Sequence, residues 1–295
     1  MKERLHHRKR FSWANFLIAA FFILVSLSMI LPFWNTLVMS FSKEADNMEP
    51  VFRIIPRSFS LDGYKGILSQ DRLIRSFVIN VYITIASTVL HLFFCALAGY
   101  ALSRKNFKGK RFVLNLLIIT MVLPGQIMMV SLFILYRNIG LLDNIQVMVV
   151  NGVISAFSIL LFRNFFLSIP NSLHDAAMMD GAGEFSILFR VYLPMAKPGL
   201  ATVALFQFVA KWNTFFEGVL YINDGQKQPL QVVLNDIVAT FTESNPGASA
   251  AVGGNMLGKN VQSAAIILAI LPLIIIYPFV QKYFVKGIMI GAIKE

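Results

Sequence analysis

Six stretches of this sequence are each long and apolar enough to cross a lipid bilayer as a helix, which takes about 20 mainly apolar residues. They run over residues 13–41, 77–102, 112–136, 145–166, 200–222 and 261–283. Of the 295 residues, 57% are hydrophobic and 14% are charged. A soluble domain carries about 25% charged residues, so this chain has too few to cover a water-facing surface. The fold expected is an all-α polytopic membrane protein. A disordered chain, a collagen-like fibre and most soluble enzymes are excluded. The first stretch is too long and starts too late for a cleaved signal peptide, and no small-residue cleavage site follows it, so it reads as a retained span. No internal repeat of 20–50 residues and no low-complexity tail are visible.

Charge orients the spans. A net charge of +11 would by itself point to nucleic acid, but its distribution argues otherwise. Segments 1–12, 103–111, 163–199 and 282–295 hold 16 basic and 5 acidic residues. Segments 42–76, 137–144 and 223–260 hold 9 of each. Lys211 and Glu217 lie within the fifth stretch and cancel. The whole excess therefore falls on one side, the positive-inside bias, and both termini are expected in the cytoplasm. Topology accounts for the basic balance. No nucleic-acid partner is expected, and the balance says nothing about whether a substrate is anionic.

Catalytic chemistry is not visible. There is no G-x-x-x-x-G-K-[ST] phosphate loop. Gly181-Ala182-Gly183 lacks the third glycine and the preceding strand of a dinucleotide fingerprint. No H-E-x-x-H or G-x-S-x-G occurs, and His6-His7 read as a solvated basic flank. Cys95 is the single cysteine; it excludes an intramolecular disulfide and reads as a small buried hydrophobe. No catalytic residue, metal site or cofactor is expected in this chain.

Segment 167–199 is the informative loop. Asn171 or Ser172 is placed to cap a short helix, with Asp175 in its first turn favouring the helix dipole. Gly181 and Gly183 let that helix end, or let another backbone approach. Phe185, Leu188, Phe189 and Tyr192 recur at helical spacing and predict one apolar face. Pro194 and Pro198 are expected to break the chain before the fifth span. The result is a short helix across the cytoplasmic surface, with a small-residue face suited to a partner's groove. An ordinary amphipathic loop between two spans is the plainer alternative.

This loop resembles the EAA motif of ABC importer permeases: E-A-A, three residues, Gly, nine residues, Ile-x-Leu-Pro. Here the pattern is Asp175-Ala176-Ala177, three residues, Gly181, nine residues, Val191-x-Leu193-Pro194. Asp175 for Glu and Val191 for Ile are the departures. Phe208-Val209-Ala210-Lys211-Trp212-Asn213-Thr214-Phe215-Phe216 resembles the F-x-x-x-W-N-x-F-F stretch of carbohydrate-uptake permeases related to the maltose permease MalG. The ending Gln281–Ile288 with Gly291-Ala292 is similar to that family's. Leu220–Asn223 followed by Pro229-Leu230-Gln231 resembles the branch for oligosaccharides from complex polysaccharides. The likeness runs over nearly the whole chain. It implies the MetI/MalG-like type I ABC importer permease fold in a bacterial cytoplasmic membrane. Residues 1–12 would be an N-tail, 13–283 a six-span permease domain with coupling loop 167–199, and 284–295 a C-tail.

The same resemblance implies partners: a second homologous permease in a heterodimer, two ATPase subunits, and an extracytoplasmic solute-binding protein that delivers a sugar. ATP and Mg would be bound by the ATPase, and transport would be alternating access. The coupling role falls on Asp175, Ala176, Ala177, Asp180, Gly181 and Ala182, with Leu193 and Pro194 closing the motif. The loop carrying Asn245, Gly247, Ala248, Ser249, Gly253 and Gly254 resembles one that probes the binding protein's sugar cleft, a flexible link being the alternative. Lys286 and Lys294 in the tail would meet the ATPase or the membrane surface.

Polar residues inside spans face a cavity or a neighbouring helix. Asn80, Thr84, Ser87 and His91 are spaced by 4, 3 and 4, hence on one face. Gln207 and Lys211 share a face near Trp212 and Asn213, and Gln126 follows a kink at Pro124. Each is a candidate for the translocation path or for hydrogen bonding between helices; the resemblance puts sugar contacts mainly on the other permease. Two other transport readings stay open: an ABC permease for a non-sugar solute, and an ion-coupled secondary transporter. The latter usually shows repeats and intramembrane acids, and Glu217 is the single acidic residue within a span. An enzyme of lipid metabolism ranks behind both.

Overall fold

The computed structural model describes residues 13–47, 51–105, 107–242 and 258–292. They fall into two compact units. The smaller comprises residues up to Ser69 together with the start of the last helix, to Leu268. Its elements are α1 (Trp13–Ser40), α2 (Glu44–Asn47), α3 (Asp62–Leu68) and the first turns of α15 (Lys259–Ala292). Phe16, Leu17, Phe21, Phe22, Leu24 and Leu27 of α1 are exposed. A helix apolar all round and uncovered by its own chain is a helix for hydrocarbon. Beyond α1 the Ser40 hydroxyl meets the Tyr64 hydroxyl at 2.9 Å, and Phe41 stacks on Phe59. A Cβ on Gly63 would lie 2.7 Å from the Asn260 carbonyl oxygen, so α3 rests backbone to backbone on the start of α15.

The larger unit is built on α4 (Asp71–Ser103), which is unbroken over 33 residues. It continues through α5 (Lys110–Val122), α6 (Gly125–Asn138), α7 (Ile145–Val150), α8 (Ala156–Leu167), α9 (Asn171–Met179) and α10 (Glu184–Ile187). A π-helical turn (Leu188–Tyr192) and α11 (Leu193–Met195) lead to α12 (Lys197–Trp212), α13 (Phe216–Tyr221) and α14 (Leu230–Thr242). Helices α7, α8, α12 and α14 all pack on α4. One core joins Cys95, Ala96 and Tyr100 to Phe162, Phe166, Leu188 and Tyr192. A second joins Ile83 to Tyr136, Val147, Met148 and Tyr221. Gly99 sets the α4–α8 distance: a Cβ there would lie 2.7 Å from the Phe162 Cβ and 3.0 Å from the Arg163 nitrogen and the Ile159 oxygen. Small residues allow such approach between membrane helices.

Three helices are long and apolar enough to cross a membrane, Asn15–Ser40, Asp71–Ser103 and Lys259–Pro278, or up to six if each bent pair is one span. The third expected span bends by 105° between Val122 and Ile127, at Pro124, which has no N–H to continue the ladder. The fourth is interrupted between α7 and α8, where Gly152 takes φ +73°. The fifth stops at Trp212 and restarts at Phe216. The last helix runs past residue 283 to Ala292. Two local expectations are corrected. Helix α9 begins at Asn171 behind Pro170, with no side-chain cap bond, and Asp175 lies beyond its first turn. Pro170 fixes its own φ and starts the helix without a polar cap.

The loop before α7 is braced by Asp143. Its Oδ1 accepts from the backbone N–H groups of Asn223 (3.0 Å) and Asp224 (2.9 Å), and Lys227 approaches its other oxygen. The Asp224 amide chiefly, with Lys227 adding to it, holds this carboxyl below its ordinary range. A depressed acid contributes stability above the unfolded pKa, which is lost as pH falls through the folded one. Hydrogen-exchange protection at residues 223–224 is therefore expected to persist at pH 5 and to fade below about pH 4. For the core, Gly99→Val is expected to lower stability by about 2 kcal/mol through overpacking, while Gly125→Ala, with nothing within 4 Å of its Cβ, leaves heat denaturation of the purified protein unchanged.

Candidate functional site

The motif residues of segment 171–194 divide into an outward face and a packed face. Asp175, Ala176, Asp180 and Gly181 are exposed, as are Met178 and Met179. Ala177, Ala182 and Leu193 are partly buried against the Tyr192 and Leu188 core, and Pro194 is exposed. The helix ends in a Schellman turn: the Ala182 N–H donates to the Ala177 carbonyl and the Gly181 N–H to that of Met178, both at 3.0 Å. Such a turn needs a left-handed residue, and Gly181 supplies it at φ +79°. The apolar face expected from Phe185 to Tyr192 is split. Leu188 and Tyr192 are buried, whereas Phe185 is 69% and Phe189 45% exposed. The expected breaks also differ. Pro194 lies inside the run α10 to α11, two residues after the π turn, and the 86° bend comes after Met195. Pro194 has no N–H for the Arg190 carbonyl, and a widened turn absorbs that loss. Pro198 sits in the first turn of α12, where no donor is needed.

The candidate path residues lie mostly inside the packing of the larger unit. Asn80, Thr84, Ser87 and His91 are buried on one face of α4, as their spacing predicts. Asn80 Nδ2 donates to the Trp212 carbonyl at 3.2 Å, and Gln207 Nε2 donates to Ser87 Oγ at 3.1 Å. His91 Nδ1 lies 3.1 Å from the Gly152 carbonyl and Nε2 lies 2.8 Å from Ser158 Oγ. A carbonyl only accepts, so the ring proton is assigned to Nδ1 and Nε2 accepts from Ser158. Trp212 is buried, its indole N–H donating to the Ala269 carbonyl at 2.9 Å, with Phe208 stacked on it and Phe77 edge-on. Asn213 ends α12 and is exposed, its amide donating to the Val209 carbonyl. Gln126 stands just after the Pro124 bend. The loop holding Asn245, Gly247, Ala248, Ser249, Gly253 and Gly254 lies outside the described residues, as do the N-tail and Lys294.

Lys211 is buried, and its ammonium donates to Glu217 at 2.7 Å and to the Met148 carbonyl at 3.1 Å. The pair closes the gap between α12 and α13 and holds both to the end of α7. Neither residue's partner was readable beforehand, although an acid six positions from a base inside one apolar stretch was the available signal. Also unforeseen were His174 and Glu184 beside the motif. His174 is the one buried residue of α9, with Nε2 3.4 Å from both Glu184 oxygens. The Tyr100 hydroxyl donates to Glu184 as well. Partial burial works to raise the Glu184 pKa, but the hydrogen bonds from Tyr100 and His174 outweigh it and hold the carboxyl below its ordinary range.

Residues 92–290 match the family described as the binding-protein-dependent transport system inner membrane component. The chain belongs to that family. As an inner membrane transport component it has full-length relatives in bacteria. The polygalacturonan/rhamnogalacturonan transport system permease protein YtcP of Bacillus subtilis (strain 168) is 34% identical, the alignment covering 95% of this chain and 98% of the relative. The arabinooligosaccharides transport system permease protein AraQ of the same organism is 28% identical over 98% and 99% of the two chains. A chain in the crystal structure of a bacterial ABC transporter involved in the import of the acidic polysaccharide alginate superposes with a TM-score of 0.83 at 31% identity, covering 93% of this chain and 99% of that one. This inner membrane component is a helical permease of the MetI-like fold.

Removing one partner of a desolvated ion pair strands the other charge at a cost of several kcal/mol. Lys211→Met is expected to lower the permease's stability by about 3 kcal/mol, the low end of the range for a buried pair, because Glu217 keeps 22% side-chain exposure. Lys211→Met with Glu217→Gln should recover most of the loss in detergent heat denaturation. A double variant as unstable as the single would show that the carbonyl contact, not the ion pair, carries the stability.

Proposed function

We propose that this chain is one permease of an ATP-driven importer that carries an oligosaccharide released from a polysaccharide into the bacterial cytoplasm. It pairs with a second homologous permease, two ATPase subunits that hold ATP and Mg, and an extracytoplasmic binding protein. Six spans with both termini in the cytoplasm are the topology of this reading, supported by the one-sided charge excess. The cargo class is supported by the polysaccharide and oligosaccharide transport roles of YtcP and AraQ and by the alginate importer.

The observation that carries the coupling role is the two-sided segment 171–183. Its small-residue face, with Asp175, Ala176, Asp180 and Gly181, is exposed on a short helix whose other side packs on the transmembrane core. The outward face meets a cleft of the ATPase. When ATP closes the ATPase pair, the segment moves as a rigid body and the spans alternate between inward and outward access. Polar groups of α4 and α12 serve mainly to join helices, so sugar contacts fall largely to the second permease.

Purification from native membranes in mild detergent is expected to bring down an ATPase and a second permease at fixed stoichiometry. Gly181→Trp is expected to abolish uptake of labelled oligogalacturonides, while Gly181→Asn retains most of it, because Asn tolerates the left-handed backbone that Gly181 adopts. A chain that emerges alone, with uptake driven by an ion gradient and indifferent to Gly181→Trp, would replace this reading with secondary transport.

A further inference from the structure

We propose that His174 and Glu184 form a clasp that fixes the coupling segment to the end of α4, so that the segment and that helix move as one piece. The clasp rests on the importer reading above for its role, though its geometry stands apart from it.

The contacts form a closed circuit. His174 Nε2 in α9 faces both oxygens of Glu184 at the start of α10, at 3.4 Å. Glu184 accepts from the Tyr100 hydroxyl near the end of α4. Tyr100 packs edge-on against Tyr192 of the π turn, with centroids 4.9 Å apart. Arg104, the residue that ends α4, donates to the Tyr192 hydroxyl at 2.7 Å and lies 5.7 Å from the centroids of both tyrosine rings. The His174 ring then packs on Tyr192. Three chain segments, α4, α9–α10 and the π turn, thus meet in one polar and aromatic knot.

What the clasp supplies is visible from what surrounds it. Gly181 and Gly183, in the turn joining α9 to α10, have nothing within 4 Å of an added Cβ, and Ala182 between them is the turn's side chain packed on the core. His174 is the residue by which α9 is buried, and its ring nitrogens face Asp175 as well as Glu184. Besides the His174–Glu184 contact, α9 is tied back by its Schellman turn, by the partly buried Ala177 and by the edge of the His174 ring on Tyr192. His174 is a positioning residue: it leaves the exposed face free and sets where that face stands relative to α4.

Hydrogen exchange on the full chain, purified from its membranes with whatever accompanies it, tests the clasp directly. Exchange at amides 174–182 is expected to rise about tenfold in His174→Leu and in Glu184→Met, and no further in the double variant. His174→Gln and Glu184→Gln, which keep a donor and an acceptor, should stay within about twofold of the wild type. In cells, uptake of labelled oligogalacturonides should fall about tenfold in the two apolar variants and be rescued in the two glutamine variants, with the ATPase still co-purifying. Additive effects in the double variant, unchanged exchange in both apolar variants, or equal loss in the glutamine variants would overturn the clasp. A wild-type chain that brings down no ATPase would instead overturn the importer reading, and the exchange result would still decide the clasp.

Discussion

In hydrocarbon every backbone N–H and C=O must find its partner within the protein, and the larger unit meets this demand through α4. That helix satisfies its own ladder from Asp71 to Ser103. The shorter helices packed on it end inside the unit and leave free carbonyls. Side chains collect them. Asn80 takes the Trp212 carbonyl where α12 stops, and His91 donates to the Gly152 carbonyl in the turn between α7 and α8. Lys211 takes the Met148 carbonyl near the end of α7. Asn80, His91 and Lys211 are in this sense the caps of broken helices.

Lys211 shows how far this goes. A lysine within an apolar stretch is costly, and its cost is offset by Glu217 and a carbonyl rather than by water. The ammonium thereby joins three element ends at once. An anionic ligand seeking this cation would have to displace Glu217, so its local gain would be set against the stranding of a largely desolvated carboxylate. The pair is thus better suited to holding α13 beneath α12 than to meeting cargo.

Much of this was legible. The long apolar stretches coincide with α1, α4 and α15, and the bend at Pro124 follows from a missing donor. The interruptions near Gly152 and Asn213 were not legible, because hydropathy averaged over some 20 residues stays high across a short break. The shared face of Asn80, Thr84, Ser87 and His91 was correct as geometry, yet a polar side chain in an apolar helix looks the same in sequence whether it meets water or a carbonyl. A single stripe from Phe185 to Tyr192 requires 3.6 residues per turn throughout. The π turn over Leu188–Tyr192 has a wider repeat, and the four side chains divide into a buried and an exposed pair. The motif spacing singles out Asp175, Ala176, Asp180 and Gly181, which are exposed, together with Ala177, Ala182 and Leu193, which pack inward. It could not locate Glu184 and Tyr100, because their meeting depends on how the chain returns to α4.

That return explains why a nine-residue helix can present a defined surface. Helices below about 12 residues are marginal in isolation, so α9 must be held by contacts outside itself. Small residues at Ala176 and Gly181 give the outward face little packing of its own, and a Cβ at Gly181 would have no protein neighbour within 4 Å. The shape of the face is therefore set from behind, by Ala177 and Ala182 against the core and by His174 against Glu184. A force applied to the exposed side passes through those few contacts into Tyr100 and Arg104 at the end of α4. The helix whose Asn80 and His91 cap two of the breaks in the larger unit is the same helix, at its other end, on which segment 171–183 is anchored.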